Sequence, residues 1–187
     1  MAEAAQNNYE GNNVIVDTGC ANLSSVKFAI QRLGFNATIT DDIELIKRAD
    51  KVIFPGVGSA KHAMENIIEK DLVNTLQNLT QPVLGFCLGM QLMTESSTEG
   101  NEGVIINCLG MIPTQVKSLD AQGNRLPHMG WNTLTDVAEH PVLSGINVDD
   151  YFYFVHSYAA PISEYTLASC EYGSKFSAII GKDNFIG

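Results

Sequence analysis

Basic residues are scarce in this sequence. Lys and Arg number 11 against 21 Asp and Glu, a formal charge of -10, which repels the phosphate backbone and argues against a nucleic-acid binder. Long apolar runs are missing as well: nowhere do about 18 apolar residues follow one another, the length a helix needs to cross a bilayer. Met1 to Asn12 are polar, lack the basic start and apolar run of a signal peptide, and read as a flexible extension. A cytoplasmic location without a membrane partner is the expectation. The four cysteines, Cys20, Cys87, Cys108 and Cys170, form no C-x-x-C pair, which argues against a zinc site or a thioredoxin-type motif and fits free thiols in a reducing compartment. Neither metal nor cofactor is expected. There is no internal repeat, low-complexity tract or linker.

What is present suits one globular domain, expected over residues 13–187. At 45% hydrophobic and 17% charged residues, the chain is too apolar for a disordered polymer and too evenly mixed for a membrane protein. Asn13 to Val16 reads as a buried strand. Leu23, Val26, Ala29, Ile30 and Leu33 then recur at helical spacing, with Asn22 as a candidate cap and Gly34 suited to the left-handed position past the end. Asn36 to Thr40 and Lys51 to Phe54 read as strands around a short helix, Asp42 to Arg48. Ser59 to Leu79 reads as helix with Asp71 capping a second segment, and Pro82 to Phe86 as another buried strand before helix resumes. Such alternation predicts an α/β fold, a mostly parallel central sheet with helices on both faces. After Gly103 the texture changes: the turn Gln122-Gly123-Asn124, then Tyr151 to His156, Thr166 to Tyr172 and Phe176 to Ile180, predict antiparallel β additions.

Gly85-Phe86-Cys87-Leu88-Gly89 falls between a predicted strand and a predicted helix and matches G-x-C-x-G, the thiol form of the nucleophile elbow. Glycines flank the nucleophile because the turn is too sharp for nearby side chains. At a helix N-terminus Cys87 is expected to gain thiolate character, and the Leu88 N–H to face a tetrahedral oxyanion. Cys20, Cys108 and Cys170 lack that context and read as structural. Phe54-Pro55-Gly56-Val57-Gly58 sits at another strand end, where two glycines allow unusual peptide orientations and a backbone N–H can point at a substrate oxygen. Gln91, four residues after Cys87, shares its helical face. His128 and His156 are open to two readings, general base or hydrogen-bonded structural histidine; His62 and His140 read as surface residues. Tyr151 to Phe154 reads as a buried aromatic strand with most rings in the core.

Pro55-Gly56-Val57-Gly58 and Gly85-Phe86-Cys87-Leu88-Gly89-Met90-Gln91 resemble the class I glutamine amidotransferases, whose triad is Cys, His and Glu. Asp17 to Leu23, Pro127 to Asn132 and Tyr151 to Tyr158 narrow the resemblance to the glutaminase subunits of imidazole glycerol phosphate synthase, from about Asn13 to Gly187. The resemblance implies a flavodoxin-like fold and hydrolysis of L-glutamine to glutamate and ammonia, with Cys87 as nucleophile. Ammonia would pass to a cyclase partner, in a heterodimer, that makes imidazole glycerol phosphate and aminoimidazole carboxamide ribotide in histidine biosynthesis. It also places the oxyanion on Leu88 and the Gly56–Val57 peptide, the amino-acid end of glutamine on Gln91, His156, Ser157 and Tyr158, and the cyclase interface at Asn22, His128 and Trp131. In the family the catalytic His and Glu stand in a His-Pro-Glu segment after a stretch like Asn184 to Gly187, and no such motif occurs here. The domain is therefore expected to be C-terminally incomplete, a truncated product or a fragment, inactive as written and with apolar sheet surface exposed. A non-catalytic scaffold and a class I amidotransferase of another pathway are the alternatives; Met90, where many relatives of other pathways carry His, speaks against the latter.

Overall fold

The computed structural model describes residues 11–19, 22–100 and 104–187; Cys20 and residues 1–10 of the expected extension lie outside them. The chain runs β1 (Asn13–Val16), α1 (Leu23–Arg32), β2 (Ala37–Thr40), α2 (Ile43–Arg48), β3 (Lys51–Gly56), α3 (Ala60–Glu69), α4 (Val73–Gln77), β4 (Val83–Cys87) and α5 (Leu88–Leu92). There follow β5 (Thr94–Ser97), β6 (Ile106–Asn107), β7 (Ile112–Ser118), β8 (His128–Thr133), β9 (Asp136–Val137), β10 (Tyr151–His156), β11 (Tyr158–Ala159), β12 (Thr166–Tyr172), β13 (Ser174–Lys182) and β14 (Phe185–Ile186). The main sheet has the order β2-β1-β3-β4-β14-β13-β12-β9. Its first five members are parallel and its last three antiparallel, the α/β architecture with antiparallel additions expected from the sequence. A four-stranded sheet, β11-β7-β5-β6, and a two-stranded ribbon, β10-β8, complete it. Among the described residues no helix is long and apolar enough to cross a membrane.

Period-2 alternation divides the residues of the parallel strands between two unequal faces. Val52, Phe54, Val83, Phe185 and Ile180 are buried in one cluster with Ile67, Leu76, Leu88 and Leu92 from the helices. Their neighbours Ile53, Leu84, Ile179 and Ile186 are only half-buried, and α1 buries none of its residues, leaving Phe28 exposed. Leu84, Ile179 and Ile186 on that side line the cleft into which Cys87 opens.

Local chemistry explains most boundaries. Asp42 accepts from the Glu44 and Leu45 N–H groups at the start of α2. The helix predicted over Ser59 to Leu79 divides at Asp71, which takes φ +54° and stands one residue before the cap position, Leu72. Gly34 adopts φ +85° past α1 as anticipated. Asn22 departs from expectation: it occupies the N-cap position in the left-handed conformation, and its side chain caps no backbone N–H. Its Oδ1 accepts instead from the Ser25 hydroxyl. Asn184 Nδ2 donates to the carbonyls of Leu79 and Gln81 at 2.9 and 2.8 Å, which pins the turn before β14 and seats that strand beside β4. Replacing Phe54 by Ala should cost about 3–5 kcal/mol in urea unfolding, and Ile53→Ala on the half-covered face clearly less; equal losses would contradict the two-face description.

Candidate active site

β3 and β4 lie parallel and adjacent, in a register that sets Gly56 opposite Cys87. Both strands end here, at the C-terminal edge where open α/β sheets bind ligands. Cys87 takes φ +54°, ψ -118°, a conformation a non-glycine residue holds at a cost of about 1–3 kcal/mol. The strain is imposed by close backbone packing. A Cβ on Gly89 would collide with the Phe54 carbonyl, and one on Gly85 would lie 2.9 Å from the Met90 nitrogen. One on Gly56 would lie 2.6 Å from the Gly89 nitrogen, so Gly56 is required by close approach, and only Gly58 takes a positive φ, +95°. The expectation that both glycines of that loop serve unusual peptide orientations holds for Gly58 alone. Val57, between them, is exposed.

The thiol is not activated in the way the sequence suggests. Cys87 opens into a cleft of about 490 Å³, yet the surrounding protein is dense enough that burial pushes its pKa above the ordinary 9.0. The Leu88 N–H pulls the other way, and the nearby Glu99 carboxylate adds to the rise. α5 has only five residues, too few for a full macrodipole, so the direction at Cys87 runs against the expected thiolate character, the Leu88 N–H alone favouring it. Glu99 went unrecognised in the sequence, where an acidic side chain in a turn reads as solvated. Its Oε2 accepts from the Ala60 N–H at 2.7 Å, holding the carboxylate at the start of α3, just after the Pro55–Gly58 loop. Cys108 is pushed up to about 11, first by burial and then by Glu99, and Cys170 is fully buried; neither is a reactive thiol.

The far wall comes from β10 and β11. Gln91 is buried, and its Nε2 donates to the Tyr158 carbonyl at 3.1 Å. His156 Nδ1 lies 3.0 Å from the same carbonyl, and its Nε2 lies 2.9 Å from His128 Nδ1. Ser157 offers its carbonyl to the Leu119 N–H at 2.9 Å. Gln91, His156 and Tyr158 thus meet at one carbonyl, and all three line the cleft into which Cys87 opens. A larger depression of about 940 Å³, along Val137 to Asp149, contains none of these groups.

Pairing in the β8–β10 ribbon sets His128 against His156 and Trp131 against Tyr153. Strict alternation sends Met129, Trp131, Tyr151, Tyr153 and Val155 outward, 50–68% exposed, with His128, Asn132, Phe152, Phe154 and His156 on the other face. Two sequence expectations fail on that alternation. The rings of Tyr151 and Tyr153 are outside the core, and His128, expected at a partner surface, is 3% exposed, stacked between Phe154 and Tyr172 at centroid distances of 4.9 and 4.1 Å. Asn22 and Trp131 are exposed. His62 is exposed as anticipated, whereas His140 is half-buried and accepts from the Val142 N–H at 3.2 Å.

Two outcomes follow from the electrostatics. Glu99→Gln keeps an acceptor for Ala60 but removes the charge, so the pH at which Cys87 alkylates with iodoacetamide should move down; an unchanged or raised profile would contradict the coupling. His128 and His156 are both held below their ordinary 6.5, chiefly by burial. The unfolded chain therefore binds more protons just below 6.5, and stability is lost as pH falls through that value. The thermal midpoint should drop between about pH 7 and 5, above the range where Asp41, lowered by its hydrogen bond to Lys70, titrates, and His156→Asn should flatten that drop.

Residues 8–187 match the family model of glutamine amidotransferase class-I. The chain is 72% identical over 186 residues to the imidazole glycerol phosphate synthase subunit HisH of Colwellia psychrerythraea, covering 94% of this chain and 83% of that protein. It is 53% identical over 182 residues to the HisH protein of Shewanella sediminis, covering 97% and 83%. Among solved structures, a glutamine amidotransferase superposes with a TM-score of 0.69 at 16% identity, covering 92% of this chain and 86% of that one. A putative GMP synthase protein from Thermoplasma acidophilum does so with 0.67 at 10%, covering 95% and 82%; these likenesses are of fold. With the strained cysteine elbow and the match along nearly the whole chain, this protein belongs to the class I glutamine amidotransferase family, among the HisH subunits of imidazole glycerol phosphate synthase.

Proposed function

We propose that the site is built for L-glutamine hydrolysis in an imidazole glycerol phosphate synthase, the observation that carries this being Cys87 strained at its elbow directly opposite the Gly56–Val57 peptide. The Cys87 sulfur, as thiolate, attacks the carboxamide carbon; the carbonyl oxygen becomes an oxyanion facing the Leu88 and Val57 N–H groups. Collapse of the tetrahedral species, with the proton given up by the thiol passing to the departing nitrogen, expels ammonia and leaves a glutamyl thioester, which water hydrolyses to glutamate and the free thiol. The amino-acid end lies toward Gln91 and the His156–Ser157–Tyr158 backbone. Ammonia passes to a cyclase partner, which fits against the outward apolar face of the β8–β10 ribbon around Trp131, with exposed Asn22 a separate candidate contact. A contiguous exposed face of this kind is what a partner interface requires.

General base catalysis is the part that the described residues do not place at the thiol. His156 lines the cleft, but both its ring nitrogens are engaged, with Tyr158 and His128. β14 runs parallel to β4 with Ile186 opposite Leu84, and Ile186 and Gly187 line the same cleft as Cys87. A thiol above its ordinary pKa with no base beside it turns over poorly. On the described residues alone, glutamate release should therefore be negligible even with the cyclase partner. A second reading is a partner-binding scaffold, which the exposed apolar face of the β8–β10 ribbon favours. Glutamate release measured with the cyclase present decides between them: turnover that Cys87→Ser abolishes contradicts the scaffold and shows a base within reach, while no release together with tight cyclase binding supports it.

A further inference from the structure

The hydrogen bonds on the inner face of the β8–β10 ribbon admit one arrangement of protons. Asn132 Oδ1 accepts from the Thr133 N–H at 2.9 Å and its Nδ2 donates to the Glu171 carbonyl at 3.0 Å. With the amide orientation fixed from both sides, the NH₂ group is what faces His128 Nε2, at 3.4 Å. His128 Nε2 is then an acceptor, and the proton of the neutral ring stands on Nδ1, donating to His156 Nε2 at 2.9 Å. His156 in turn carries its proton on Nδ1 and donates to the Tyr158 carbonyl at 3.0 Å. A carbonyl can only accept, so the same assignment is reached from the other end. The Tyr158 oxygen receives a second N–H from Gln91, on the helix that follows Cys87.

We propose that His128 and His156 are positioning residues: a one-directional relay, Asn132 to His128 to His156, that aims the Tyr158 carbonyl and so sets the peptide lining the amino-acid end of the cleft. The proposal rests on the glutamine reading above and goes further by assigning the two buried histidines a task. Neither supplies a proton to the reaction; they act through the Tyr158 peptide. Packing supports the assignment, since stacking of His128 between Phe154 and Tyr172 leaves its ring no rotation, and His156 is held 4.8 Å from the Phe176 ring. Burial keeps both rings neutral near pH 7, as the relay requires. The strands that hold it also present Met129, Trp131, Tyr153 and Val155 outward, so a body seated on that face bears on the His128–His156 pair from behind.

Two measurements on the 187-residue chain test this. Long-range ¹H–¹⁵N spectra at pH 7.5 should show both His128 and His156 as the Nδ1–H tautomer, while exposed His62 serves as the surface reference; an Nε2–H tautomer at either ring overturns the relay. The second is L-glutamine titration in a Cys87→Ser background, which prevents turnover. His156→Asn retains a donor at the Nδ1 position and should bind within about threefold of the parent, whereas His156→Leu fills the space without a donor and should lose about tenfold, one hydrogen bond's worth. Leu binding as well as Asn means the ring only packs, and overturns the proposal. No binding by the parent removes glutamine as the occupant, and with it the role claimed for the Tyr158 peptide; the tautomers then report separately that it is the glutamine reading that failed.

Discussion

The site depends on one close approach, the backbone of β3 lying against the turn that follows β4. Gly89 fits only because nothing projects toward the Phe54 carbonyl, and Gly56 only because nothing projects toward Gly89. Parallel register then puts Gly56 beside Cys87, so the loop proposed to bind an oxyanion and the cysteine proposed to generate it share one contact. The strain at Cys87 persists because the sheet over-determines it: Phe54 and Val83 are buried in the same cluster as Leu88 and Leu92.

Geometry and electrostatics are separable here. The elbow aims the sulfur, but burial and Glu99 hold it as a thiol, against the single favourable N–H from Leu88. A protected resting thiol that ionises only when a proton acceptor arrives is less prone to oxidation than a standing thiolate. The opposite wall is neutral by construction, since its two histidines hydrogen-bond to each other and to a carbonyl. In the β8–β10 ribbon a single alternation turns apolar rings outward, where the partner is proposed to sit, and His128 and His156 inward.

The sequence was informative where a backbone constraint forces a residue type. Gly85 and Gly89 identify the elbow because no side chain fits at either position, with Cys87 between them, and the β-α alternation through Phe86 conveys the parallel sheet. It was less informative where tertiary partners decide. Asn22 has the composition of a cap but adopts a left-handed conformation and turns its side chain to Ser25. The ordinary thiolate argument for Cys87 assumes a helix long enough to have a dipole, and α5 ends after five residues. His128 stands in a motif beside Trp131, and only strand alternation, with its fixed phase, separates the buried residue from the exposed one. Glu99 carries no local signal because its effect on Cys87 is made across the fold, from the turn after β5.

The central claim, that Cys87 is the one nucleophile and that the peptides on either side of it form an oxyanion site, is tested most directly by trapping. The chain would be treated at pH 9 with a chloroketone analogue of glutamine, and the adduct solved crystallographically. A single adduct on Cys87, blocked by excess L-glutamine, with its oxygen about 3 Å from the Leu88 and Val57 nitrogens, is the predicted result. Labelling spread over Cys108 or Cys20, or an adduct on Cys87 whose oxygen turns away from both nitrogens, would contradict it.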